Sequence, residues 1–94
     1  MKAKHAAVRI CAEVVSQHVG DELIILNLQT GIYWGLNETG AAIWDQIARH
    51  GDVRKTIRAL RGRYDASEEQ LTGAVEGLLA QLRKEGLVVN DGGR

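Results

Sequence analysis

Two apolar runs, Leu23 to Leu28 and Ile32 to Leu36, are separated only by Gln29-Thr30-Gly31. A connection that short folds the runs back on one another as an antiparallel hairpin. Helix chemistry begins immediately afterwards. Asn37 is a good N-cap, Glu38 places negative charge in the first turn, and Ala41, Ala42, Ile43, Trp44, Ile47 and Ala48 supply an apolar helical surface. One strand therefore feeds straight into a helix, and the rest of the chain has to pack around that corner.

The segments on either side extend the pattern. Gly20-Asp21 reads as a tight turn into Glu22, because glycine accepts the positive φ that hairpin turns need. Val8 to Val19 has strand composition, but Val8, Ile10, Ala12 and Val14 lie on one parity while Val15 and Val19 follow on another, which calls for a bulge or break near Val14. Three antiparallel strands are expected at about 13–19, 22–28 and 31–36. In the last of them, alternation assigns Ile32, Trp34 and Leu36 to the core face and Tyr33 and Gly35 to the other. Gly35 either allows a close approach on its face or marks a bulge before the helix.

Three helices should follow. The first runs from Glu38 to about His50 with Gly51 as its C-cap, and Trp44 is assigned to its core stripe rather than to ligand stacking. The second starts at the N-cap Asp52, buries Val53, Ile57, Leu60 and Tyr64, and turns Arg54, Lys55, Arg58, Arg61 and Arg63 outward. Ser67 and Gln70 form a capping box for the third, whose stripe of Leu71, Val75, Leu78 and Leu82 is widened by Ala74 and Leu79 before Gly86 ends it. Gly73 and Gly77 are unusual within a helix, so a close neighbour on their side is expected. Leu87-Val88-Val89 should cover the core, with residues 1–7 a loose terminus and the tail from Asn90 frayed.

Composition narrows the function classes. A length of 94 residues fits a single domain spanning 1–94, ordered over about 8–89, and is too short for a deep catalytic cleft between lobes. The formal net charge of zero gives no general pull toward nucleic acid or membrane. No apolar stretch approaches the roughly 20 residues that span a bilayer. The lone Cys11 builds no disulfide framework and no signal-like segment follows Met1, which points to the cytoplasm. His5, His18 and His50 fall on separate elements without paired spacing, so no metal or other cofactor is expected. No nucleophile, base and orienting group come together as an enzyme requires.

The run Asn27-Leu28-Gln29-Thr30-Gly31-Ile32-Tyr33-Trp34-Gly35-Leu36-Asn37-Glu38-Thr39-Gly40, with Ile43-Trp44 next, resembles the signature of the PqqD-like family. The likeness extends from about Val14 to Val89 and ends on Leu82 and Glu85-Gly86-Leu87-Val88. These small proteins recognise the leader peptides of ribosomally made, post-translationally modified peptides. The resemblance implies an α+β fold of winged helix-turn-helix type, with a three-stranded antiparallel sheet followed by three helices. It also implies a non-catalytic adaptor that holds a leader while a separate enzyme acts on the tethered core peptide. The stand-alone domains of lasso-peptide pathways are the most similar, and there a leader peptidase and a cyclase are the expected partners.

The residues supply a matching geometry. In a sheet of order 1-2-3 the strand at 31–36 has a neighbour on one side only, and its free edge can take an extended peptide by strand addition. The third helix is the natural wall of the adjoining groove. Carried over from the resemblance, the strand platform is Gly31, Ile32, Tyr33, Trp34, Gly35 and Leu36, and the wall is Val75, Leu78, Leu79 and Leu82, with Arg83 and Glu76 at the rim. The same apolar stripe equally serves plain core packing. Tyr33 points away from the predicted core and, as an aromatic with a polar tip, suits an interface. The rival class is a DNA-binding helix-turn-helix module, disfavoured because the third helix carries Glu68, Glu69, Glu76 and Glu85 against Arg83 and Lys84. A third possibility is a homodimer through the free strand edge.

Overall fold

The computed structural model describes residues 7–90. In chain order the elements are β1 (Val8–Ile10), β2 (Val14–Val19), β3 (Glu22–Asn27), β4 (Ile32–Leu36), α1 (Glu38–His50), α2 (Val53–Arg61), α3 (Glu68–Lys84) and β5 (Val88–Asn90). The expected α+β arrangement is present: β2-β3-β4 form a three-stranded antiparallel sheet, and three helices follow it. Among the described residues no helix is long and apolar enough to cross a membrane.

Local chemistry sets each boundary. The β2–β3 hairpin turns on Gly20 at φ 64°, which brings Val19 opposite Glu22. At the β3–β4 turn the side-chain Oδ1 of Asn27 accepts from the amides of Gln29 (2.9 Å) and Thr30 (3.4 Å). This is the local bond with which asparagine stabilises turns, and it keeps the largely buried Asn27 satisfied. Asn37 caps α1 by accepting from the Gly40 amide at 2.9 Å, Asp52 caps α2 from Lys55 at 2.9 Å, and both bonds of the Ser67/Gln70 capping box hold the start of α3. Losing such a cap costs about 1 kcal/mol.

The core lies between the sheet and the helices. Leu23 and Ile25 of β3, Ile43, Trp44 and Ile47 of α1, Ile57 and Leu60 of α2, and Leu71, Val75, Leu79 and Leu82 of α3 are all buried in it. Each side chain of this kind contributes about 1.5–3 kcal/mol through burial. Trp44 therefore belongs to the interior, as its helical stripe predicts. Outside the core, His18 Nε2 lies 3.0 Å from Asp45 Oδ1 and joins β2 to α1 at the surface.

The structure differs from the sequence reading at several points. The break near Val14 is a full interruption. β1 leaves the main sheet and pairs antiparallel with β5, Ile10 opposite Val88 and Val8 opposite Asn90. Ala7 bridges Asp52 and the Val8 amide donates to the Gly51 carbonyl at 3.0 Å, so β1 is also tied to the α1–α2 corner. Ala7 is thus paired rather than part of a loose terminus, and Asn90 belongs to a strand rather than a frayed tail, while the other expectations for the two ends fall on residues 1–6 and 91–94, outside the described residues. Leu28 belongs to the turn and is 56% exposed. Tyr64 and Arg63 lie beyond the end of α2, with Tyr64 half-buried.

Gly73 and Gly77 have no close neighbour: a Cβ built at either meets nothing within 4 Å. Each therefore carries the entropic cost of a helical glycine without a packing reason. Gly73→Ala and Gly77→Ala are each expected to raise unfolding free energy by about 0.5–1 kcal/mol. Urea titration checks this, and a loss of stability would show that the space is occupied in the folded protein.

Candidate functional site

The register of the main sheet separates its two faces. Leu23 lies opposite Leu36, Ile25 opposite Trp34 and Asn27 opposite Ile32. The buried parity of β3 therefore continues into β4 through Leu36, Trp34 and Ile32, on the side that the helices cover. Leu36 and Trp34 pack half-buried against the core. Ile32 departs from the expected core assignment: it has the correct parity but is 50% exposed, because it starts the strand at the turn end, where the polar, turn-capping Asn27 is its partner. Tyr33 lies on the opposite face beside Leu26 and is 66% exposed. Gly35 and Gly31 are also exposed, and a Cβ at Gly35 would meet nothing within 4 Å.

Strand order leaves β4 with β3 as its one partner among the described residues. Along its other side, alternate backbone amides and carbonyls face outward with no ladder to join. Within this site, that is the feature with the clearest chemical capacity, since a second extended chain can satisfy those groups. β2 forms the opposite border of the sheet.

The carried-over wall residues on α3 divide into two sets. Val75 and Leu79 are 0% exposed and Leu82 is 2% exposed, so all three are core. Leu78 is half-buried, packs against the edge of the core, and retains exposed surface. Arg83 donates from Nη1 to Asn90 Oδ1 at 3.2 Å and so is engaged with β5. Glu76 is exposed.

A cleft of about 400 Å³ opens between the start of α1 and the start of α3. Thr39 and Ile43 line it from α1, Leu60 and Tyr64 from α2 and the connection after it, and Gln70, Leu71 and Ala74 from α3. Thr39 follows the end of β4 by only a few residues along the chain. Leu78, four residues beyond Ala74, continues that same flank of α3. The sequence reading named Leu71 and Ala74 as part of the α3 stripe but did not identify Thr39, Ile43, Tyr64 or Gln70 as a lining. Their meeting depends on the α1–α3 approach, for which the sequence carries no local signal.

Charge and metal chemistry add little here. Among the described residues no group of three or more His, Cys, Asp or Glu side chains could hold a metal ion. Cys11 is half-buried and its amide donates to the Leu87 carbonyl at 3.0 Å. Glu68, Glu69 and Glu76 are all exposed on α3, which gives that helix an acidic surface.

Comparison with known proteins follows the same outline. The family model described as coenzyme PQQ synthesis protein D (PqqD) matches residues 22–88. The solved structure of TbiB1 in complex with the TbiA(beta) leader peptide is similar, with a TM-score of 0.83 and 28% identity over 88% of this chain and 96% of that one. A lasso peptide synthetase B1 complexed with the leader peptide is similar in fold, with a TM-score of 0.79 and 20% identity over 89% of this chain and 99% of that one. No curated protein matches the chain in sequence.

Proposed function

This chain belongs to the PqqD family, and from that premise we propose that it is a non-catalytic adaptor for the leader peptide of a ribosomally made precursor, in a lasso-peptide pathway. The observation that most supports this reading is the open edge of β4, whose Trp34 and Leu36 pack half-buried against the same core as Leu78 of α3. The leader pairs with β4 as an added strand. Its backbone completes the ladder along Gly31, Ile32, Tyr33, Trp34, Gly35 and Leu36, and its alternate side chains turn toward α3. Leu78 forms the exposed part of the wall, with Val75, Leu79 and Leu82 as the packed floor that holds it in place. The cleft lined by Thr39, Ile43, Leu71 and Ala74 takes an apolar side chain of the leader. Arg83, through its bond to Asn90, serves the far rim. Bound in this way, the precursor is presented to a leader peptidase, and after it a cyclase, without chemistry by the adaptor itself.

Tyr33 contacts the leader from the outer face, where it offers a large amphipathic surface. Tyr33→Ala is expected to weaken the cognate leader by about tenfold, equal to about 1.4 kcal/mol. Because Tyr33 is exposed, stability should change by no more than about 0.5 kcal/mol. Isothermal titration and thermal unfolding of the same variant check both halves, and unchanged affinity would remove Tyr33 from the interface. A second copy of the chain could compete for the same edge, so sedimentation with and without leader should show any self-association reversed by the peptide.

A further inference from the structure

α2 carries charge that folding does not explain. Its sequence, Val-Arg-Lys-Thr-Ile-Arg-Ala-Leu-Arg, contains no acidic residue, and Asp52 before it is engaged in capping the Lys55 amide. Arg58 and Arg61 in the last turn are favoured by the helix dipole, but Arg54 and Lys55 stand in the first turn, where the dipole opposes cations. Arg54, Arg58 and Arg61 follow one another at helical spacing along one face and line a cleft of about 300 Å³ with Ile57 as its apolar floor and Glu68 at its rim. Arg61 is partly neutralised by Glu68, Nη1 to Oε1 3.3 Å, with both side chains more than half exposed. Among the described residues neither Arg54 nor Arg58 has an ion-pair partner.

We propose that this arginine-lined cleft on α2 docks an acidic, carboxylate-bearing segment of the enzyme that acts on the tethered precursor. The inference rests on the adaptor reading and adds the surface through which the adaptor meets its enzyme. Guanidinium forks match carboxylates in paired hydrogen bonds. A discrete acidic loop fits better than a nucleic acid, because Glu68 at the rim interrupts the basic face that a continuous phosphate backbone would follow. The α2 cleft shares no lining residue with β4 or with the α1–α3 cleft, so leader and enzyme can be held together.

The test uses the full chain, isotopically labelled, titrated at low salt with a short glutamate-rich peptide and, separately, with the cognate leader. Amide shifts from the glutamate-rich peptide are expected on α2 and the first turn of α3. The Arg54→Glu/Arg58→Glu variant should bind that peptide at least about tenfold more weakly while its leader affinity stays unchanged. The milder Arg54→Gln/Arg58→Gln variant should show a smaller loss in the same direction, which guards against misfolding of the first. Undiminished binding by both variants, shifts centred on another surface, or tighter binding of duplex DNA than of the peptide would overturn the proposal. If the leader alone fails to bind, the adaptor reading falls while the α2 result stands as a measurement of its own.

Discussion

Leu78→Asp is expected to weaken leader binding by about a hundredfold, equal to about 2.7 kcal/mol, with only a modest loss of stability. In the free protein the half-buried position lets the new carboxylate turn toward water. In the complex an apolar guest side chain would cover it, and an unpaired charge shut away from water costs several kcal/mol. Ala74→Glu gives a second reading of the same flank, because Ala74 is exposed and glutamate is a good helix former. Titration calorimetry on variants shown to be folded measures both, and wild-type affinity in the two would mean that the leader does not lie against this side of α3.

The neighbouring position should behave in the opposite way. Leu79 is fully buried, so Leu79→Ala leaves a cavity and is expected to cost about 2–5 kcal/mol of folding free energy. For a domain of this size that corresponds to a fall in Tm of roughly 10 °C or more, a large share of a typical total of about 5–15 kcal/mol. The folded fraction should still bind leader with nearly normal affinity. Thermal unfolding followed by titration at low temperature checks it. A lost affinity with little change in Tm would mean that Leu79 reaches the guest directly and belongs to the helix wall itself.

The contrast between Leu78 and Leu79 marks the limit of what periodicity reveals. A stripe of Leu71, Val75, Leu78, Leu79 and Leu82 is legible in the sequence, and so is the helix that carries it, because Ser67, Gln70 and Gly86 punctuate its ends. Which member of the stripe keeps exposed surface is decided by the angle at which α3 meets the rest of the core, and that is a tertiary quantity. Ile32 teaches the same lesson from the sheet: parity gives the correct face, but burial depends on how far the helical layer extends along the strand. The hairpin turns and all three N-caps were legible for the opposite reason. They depend on bonds between residues a few positions apart, such as Asn37 to Gly40 and Asp52 to Lys55. The β1–β5 pair joins the two ends of the described chain, and nothing local in Val8 to Ile10 signals a partner at Val88 to Asn90. Of the candidate site, the open strand edge could be foreseen from strand order, whereas the α1–α3 cleft required the packed helices.

Hydrogen exchange of the β4 amides, with and without cognate leader, tests the strand-addition account most directly. The Tyr33 and Gly35 amides, which face outward, should exchange readily in the free protein and become protected when leader saturates it, while those of Trp34 and Leu36, turned toward β3, remain slow in both states. Saturable leader binding that leaves the outward amides of β4 unprotected would contradict it.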